Sequence, residues 1–321
     1  MIKILAVLTV SFLCIGCSTA RRQVHKSTSN AITSSFFDTQ FTGILMVDAQ
    51  SKDTLYNFNS TKYFTPASNT KIFTLFTSLS VLPDSLPGLK YLTKNDTLYI
   101  EGTGDPTLLH PYFDTSNTLD FLKGYSNIAI HYNNFHEAHY APGWSWEDYG
   151  YYFQPERTAL PIYGNVVSLH QKNGLQVTPL YFKDSVLSIS YKANRAIDRN
   201  KFYFSPSRKD TVEIPFKTSN ELTAKLLQDY LQQPISITSA MPNSDKKVLF
   251  SIDADTVYRR MMIESDNFLA EQLLIQSSTM LSDTLSSQKA RNYILKNQLH
   301  DLKQKPRWVD GSGLSRYNLF T

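Results

Sequence analysis

The chain has 321 residues, of which 41% are hydrophobic and 19% charged, with a formal net charge of +4. This composition supports a packed core and excludes a disordered chain, and the length allows two domains or one domain with a large insertion. The positive charges are scattered without a block of like sign, so nucleic acid is not implied as a partner and ordinary solubility accounts for the excess.

Met1-Ile2-Lys3 and the apolar run from Ile4 to Ile15 form a basic start and a hydrophobic stretch too short to span a membrane. Residues 1–17 therefore read as an export signal. Leu13-Cys14-Ile15-Gly16-Cys17 is similar to a lipobox, with Cys17 as the lipidated new N-terminus. Cys14 stands where Leu is usual, and cleavage after Ser18-Thr19-Ala20 by ordinary signal peptidase is the alternative. Cys14 and Cys17 are the only cysteines, so the mature chain has no pair for a disulfide and no thiolate for a metal. Residues 18–37, rich in Ser, Thr and Arg, read as a tether to a lipid anchor, with the remainder exported and facing the periplasm.

The runs Thr42 to Val47 and Thr54 to Phe58 predict a hairpin turning through Asp48 to Asp53. Ile72, Phe73, Leu75, Phe76 and Leu79 then recur at helical spacing, predicting a helix from Asn69 to Leu79. From about Pro83 to Ala240 short strand-like runs (Leu98 to Ile100, Ile128 to His131, Leu187 to Tyr191, Thr211 to Ile214) alternate with Gly, Pro, Asn and Asp turns. One clear helix interrupts them, from the N-cap Ser219 to Gln233. This stretch reads as an inserted, mainly β region covering 89–240. Thr256 to Glu264, Phe268 to Met280 and Ser286 to Leu299 are helical by pattern.

Ser68 and Lys71 are three apart at the start of a predicted helix, which puts a nucleophile and a base on one face. A serine hydroxyl needs a neighbour to accept its proton, and a lysine serves only if its pKa is depressed by desolvation or adjacent positive charge. Free N–H groups at the helix start would favour an oxyanion on an acyl carbon held by Ser68. Ser-x-x-Lys alone is a weak signal, since an N-cap serine beside a surface lysine has the same spacing. Ser265-Asp266-Asn267, between two helical stretches, adds the hydroxyl and amide that a proton relay and a substrate contact need. Together the two match a signature set of penicillin-recognising serine hydrolases, completed by a later Lys-Thr-Gly.

Pro66-Ala67-Ser68-Asn69-Thr70-Lys71, Gly102-Thr103-Gly104-Asp105-Pro106-Thr107-Leu108, Gly143-Trp144-Ser145-Trp146 and Asp310-Gly311-Ser312-Gly313-Leu314-Ser315 follow in that order. With these segments the chain, over roughly residues 38 to 321, resembles the class C low-molecular-mass penicillin-binding proteins, which are serine D-Ala-D-Ala carboxypeptidases and endopeptidases. Ser265 lies 197 positions after Ser68, as the large insertion of that class requires. The resemblance implies an α/β (α+β) fold with helices packed on an antiparallel sheet, formed by 38–88 and 241–321 around the insertion. It implies that Ser68 is acylated, Lys71 is its general base, Ser265 relays a proton to the leaving D-alanine and Asn267 holds a substrate carbonyl or amide. Asp266 would point away, and Asp310, Gly311, Ser312 and Gly313 would lie near the cleft. The implied partners are peptidoglycan stem peptides and, as covalent inhibitors, β-lactams, with neither metal nor organic cofactor.

No Lys-Thr-Gly follows Ser265, and Lys217-Thr218-Ser219 precedes it and reads as a helix start. The chain thus reads as truncated at its C-terminal end, and the alternative function is that of a catalytically impaired wall-binding lipoprotein. Other candidates are weaker. Pro106 follows Gly102-Thr103-Gly104-Asp105 where the helix of a phosphate-binding loop should open. His131, His136, Glu137 and His139 lack the zincin spacing. The aromatic run from Trp144 to Phe153 reads as packing, with sugar stacking as the alternative. No glutamate follows Glu271 to act as a deacylating base, so penicillin is expected to acylate the site and leave slowly.

Overall fold

The computed structural model describes residues 21–321. The leader and Cys17 lie outside the described residues. The chain divides into two compact units, one containing 21–64 with 320–321 and the other 65–319.

In the first unit, residues 21–32, within the stretch read as a tether, form helix α1. Arg21, Arg22, Gln23 and Lys26 are good helix formers, and α1 finds a partner. Arg21 Nη2 donates to the Thr54 carbonyl at 2.8 Å and the His25 ring meets Tyr56 edge-on. The predicted hairpin is present, with β1 (Ile44–Val47) antiparallel to β2 (Thr54–Phe58).

The second unit is built on a five-stranded sheet of β3 (Ser85–Lys94), β4 (Thr97–Gly102), β5 (Ile128–His131), β11 (Ile235–Thr238) and β12 (Lys247–Asp253). The order is β11-β5-β4-β3-β12. It is a mixed sheet, since β11, β5 and β4 run parallel while β3 pairs antiparallel with β4 and β12. The α+β class is as expected, with the antiparallel pairs β12–β3 and β3–β4 continued by parallel ones. The expected boundary at 88/89 falls inside β3, and pairing of β3 with β12 ties residues on either side of the expected insertion into one sheet.

Helices α3 (Ser116–Lys123) and α4 (Asn220–Leu231) share one apolar core with the sheet through Leu119, Leu122, Leu226 and Leu227. Ser219 caps α4 as read, accepting the Leu222 N–H. Helix α3 escaped the sequence reading because its eight residues are mostly polar, and few of them are buried. A second sheet, ordered β10-β6-β7, comprises β6 (Val166–Gln171), β7 (Leu175–Thr178) and β10 (Val212–Pro215). The run expected from Leu187 to Tyr191 reduces to the two-residue β8 (Val186–Leu187) paired with β9 (Phe202–Tyr203).

The remaining helices are α2 (Thr70–Val81), α5 (Ala254–Ile263), α6 (Asn267–Ser277) and α7 (Ser287–Asn297). On α6 every residue from Phe268 to Ser277 is buried, the position of a helix surrounded by protein. Its interior polar side chains are tied down, for Gln272 Nε2 donates to the Gly104 and Thr158 carbonyls and Gln276 Nε2 to Pro87. On α2 the helical period is as predicted, and the polar side chains form the buried face. Thr70, Lys71, Thr74, Thr77 and Ser78 are buried, while Ile72, Phe76 and Leu79 are 56%, 39% and 59% exposed. The polar face turns inward because it packs on α6 and the Asp310 loop.

Candidate active site

Ser68 lies in a 3-10 turn, Ala67–Asn69, that runs directly into α2. Ala67, with φ of +47°, holds the left-handed conformation that costs a non-glycine residue about 1–2 kcal/mol. Such outliers concentrate where function over-determines the backbone. The N–H groups of Asn69 and Thr70 are spent on the Pro66 and Ala67 carbonyls. They are therefore not the free donors expected at this helix start.

One turn along, Lys71 is 2% exposed and its Nζ touches three oxygens, Ser68 Oγ at 3.3 Å, Asn267 Oδ1 at 2.6 Å and the Ser312 carbonyl at 2.9 Å. Burial lowers its pKa to about 8, against the opposing charges of Glu271, Asp266 and Asp310. Lys71 therefore gives up its proton more readily near neutral pH than an exposed lysine does.

Asn267 opens α6 and is committed at both ends, since Oδ1 accepts from Lys71 and Nδ2 donates to the Phe153 carbonyl at 3.0 Å. Asn267, expected to hold a substrate carbonyl or amide, is thus also tied directly to Lys71. Asp266 departs from expectation. It is the N-cap of α6, accepting the Leu269 N–H at 3.0 Å, and it lines the cleft. Burial raises its pKa. Ser265 faces the same cleft as Ser68, has φ of +53°, and takes no part in the hydrogen bonds that hold Lys71.

The cleft measures about 550 Å³, a size that accepts a short peptide. Its far wall carries charges that sequence reasoning missed. The Arg260 guanidinium lies 3.4 Å from the centre of the Tyr112 ring, and the Tyr112 hydroxyl donates to Glu213 at 3.0 Å. His110 beside them is held neutral, its pKa lowered to about 3 by burial and then by Arg260. Arg260 and Glu213 come from α5 and β10, and no local motif announces them.

The Asp310 loop reaches Lys71 through its backbone. The Ser312 carbonyl bonds Lys71, and the Gly311 carbonyl accepts from Thr74 Oγ1 at 2.6 Å. Both glycines are dictated by space. A Cβ on Gly311 would stand 2.6 Å from the Ala270 carbonyl oxygen of α6, and one on Gly313 would collide with the Ala67 carbonyl. Gly313 also has φ of +85°.

Asp310 itself is fully buried and acts as the hub of the loop. It accepts from the N–H groups of Gly313 (2.9 Å) and Ser315 (2.6 Å), from Asn318 Nδ2 (2.7 Å) and from Trp144 Nε1 (2.9 Å). The last bond joins the Gly143-Trp144 segment to this loop, and Ser315 Oγ adds a bond to the Pro142 carbonyl. Asp310→Ala would leave several of these donors buried without partners, each worth about 1–3 kcal/mol. The expected outcome is a loss of at least about 3 kcal/mol, read from chemical denaturation, with penicillin acylation impaired in whatever fraction remains folded.

Glu271 was missed as a site residue although a signal existed. It lies four positions after Asn267 on α6, and residues at that spacing share a helix face. Its Oε1 accepts the N–H groups of Gly311 and Ser312 at 2.9 and 2.8 Å, and its Oε2 meets Arg157 Nη1 at 3.4 Å.

The other candidates have structural partners. Thr103 Oγ1 bonds the Gly88 carbonyl, and a Cβ on Gly102 would collide with the Ala159 carbonyl, so this motif is an interior turn. His131 Nδ1 pairs with Glu101 at 2.6 Å, His139 Nδ1 lies 3.0 Å from the Arg157 carbonyl, and Glu137 accepts from Ser286 and Ser287. In the aromatic run, Trp144 packs at the Asp310 loop, whereas Trp146 and Tyr152 are 70% and 67% exposed.

A model of the D-Ala-D-Ala carboxypeptidase 3 (S13) family matches residues 25–321. Among solved structures, penicillin binding protein 4 (dacB) from Haemophilus influenzae is similar with a TM-score of 0.66 at 19% identity, over 87% of this chain and 72% of that one. The same protein complexed with a novel β-lactam gives a TM-score of 0.58 at 18% identity, over 86% of this chain and 70% of that one. At such identities the likeness is one of fold. No curated protein sequence matches the chain.

Proposed function

The chain belongs to the D-Ala-D-Ala carboxypeptidase 3 (S13) family of peptidases, and on that premise we propose that it cleaves D-Ala-D-Ala stem peptides of peptidoglycan through an acyl-enzyme on Ser68. The observation that carries this reading is the set of partners around Lys71. Asn267 Oδ1 and the Ser312 carbonyl only accept, whereas the Ser68 hydroxyl either donates or accepts. A neutral Lys71 keeps its two N–H bonds on the obligate acceptors and so directs its lone pair at Ser68.

Acylation then proceeds with Ser68 Oγ attacking the carbonyl carbon between the two D-alanines while the hydroxyl proton passes to Lys71 Nζ. Collapse of the tetrahedral intermediate breaks the C–N bond, and the departing amine takes a proton. Ser265, on the same cleft, is suited to deliver it. Water then hydrolyses the ester and restores Ser68. A β-lactam would follow the same course as far as the ester, but its amine stays tethered after ring opening and blocks water. The complex of the Haemophilus protein with a β-lactam supports this part of the reading.

Export and lipid anchoring at Cys17 belong to the same proposal and are supported by the leader-like sequence of residues 1–17 alone. The test of the activity is release of free D-alanine from a peptide ending in D-Ala-D-Ala. The protein is expected to release it and Ser68→Ala to release none, and equal release by both would refute the assignment.

A further inference from the structure

Glu271 is 1% exposed, and its carboxylate lies beneath the backbone that bonds the base. One oxygen gathers the consecutive N–H groups of Gly311 and Ser312, and the carbonyls of those same residues point to Thr74 and Lys71 on α2. The loop is thus clamped between α6 and α2, with Glu271 as the fixed end. We propose that Glu271 is a positioning residue for acylation, holding the Ser312 carbonyl against Lys71 and supplying the charge that stabilises Lys71 as it takes up the Ser68 proton. The inference rests on the reading of Lys71 as the base.

The step needs no other reagent, because the proton leaves Ser68 Oγ and the Lys71 amine becomes an ammonium. Of the carboxylates that oppose loss of that proton, Glu271 acts most strongly, ahead of Asp266 and Asp310. The charged groups around Glu271 itself are Lys71 from α2, Arg291 from α7, Asp310 from its own loop, and Arg157 with Glu137 behind it. Burial and Asp310 push the Glu271 carboxyl up to about 7, while Arg157 and the Ser312 bonds favour its ionised form.

The test is an NMR titration of the Lys71 side-chain nitrogen alongside the pH profile of acylation by fluorescent penicillin. Glu271→Gln retains an oxygen for the loop amides and removes the charge. The Lys71 titration is expected to fall by about one pH unit, the acid limb of the acylation profile to move down with it, and the limiting rate to drop about tenfold. Glu271→Asp, which keeps the charge, is expected to bring the titration back toward that of the unmodified protein. If Glu271→Gln does not fold, Glu271→Asp alone decides, through a smaller downward shift. An unshifted Lys71 titration in the variant that folds, or acylation slowed equally at every pH, would overturn the proposal. A shifted titration in a protein that penicillin never labels would instead overturn the peptidase reading and leave the coupling of Glu271 to Lys71 standing.

Discussion

Lys71→Ala is expected to slow acylation by penicillin about 10²–10⁴-fold, the range typical for loss of a positioned general base. The reason lies in the contact geometry, since no other basic side chain among the described residues bonds Ser68. Stability should change much less than rate, because two effects oppose each other. Removing Lys71 relieves the desolvation that lowers its pKa to about 8. It also strips a donor from Asn267 Oδ1 and from the Ser312 carbonyl. A time course of fluorescent labelling beside a thermal melt separates the two. A normal labelling rate would show that another group takes the Ser68 proton.

Gly313→Ala is expected to be the most damaging single-methyl change near the cleft. The residue has φ of +85°, and the added Cβ would collide with the Ala67 carbonyl immediately before Ser68. Left-handed strain and overpacking together predict a loss of about 2–5 kcal/mol. Any relief of the clash must move Ala67 or the Ser312 carbonyl, so acylation should collapse as well. Denaturant unfolding with a labelling assay on the folded fraction checks both effects. Wild-type labelling in a folded Gly313→Ala protein would contradict the tight seating of this loop.

What the sequence disclosed about the site follows the range of its interactions. Ser68 and Lys71 were legible because one helical turn fixes their spacing, and Ser265 and Asn267 because a short motif carries them. The actual roles in the Asp310 loop were not legible. Its contact with Lys71 is a backbone carbonyl, and its own side chain serves as a hub for donors that include Trp144, far away in the chain. Glu271 was readable from its spacing after Asn267, but a mostly apolar helix gives no hint that one carboxylate turns toward a loop.

The fold shows the same division. The β1–β2 hairpin, α2, α4 and the C-terminal helices follow local pattern, whereas α3 is too short and polar to declare itself. Periodicity identified α2 as a helix but did not show that its polar face is the buried one, where Lys71 and Thr74 bond α6 and the Asp310 loop. The pairing of β3 with β12 joins residues more than 150 positions apart, which no local propensity encodes.

The central claim is that Ser68 is the acylated nucleophile, and peptide mapping by mass spectrometry after brief exposure to penicillin measures it most directly. A single penicilloyl adduct on Ser68, absent from Ser68→Ala, is the predicted result. An adduct on another residue, or undiminished labelling of Ser68→Ala, would contradict the account.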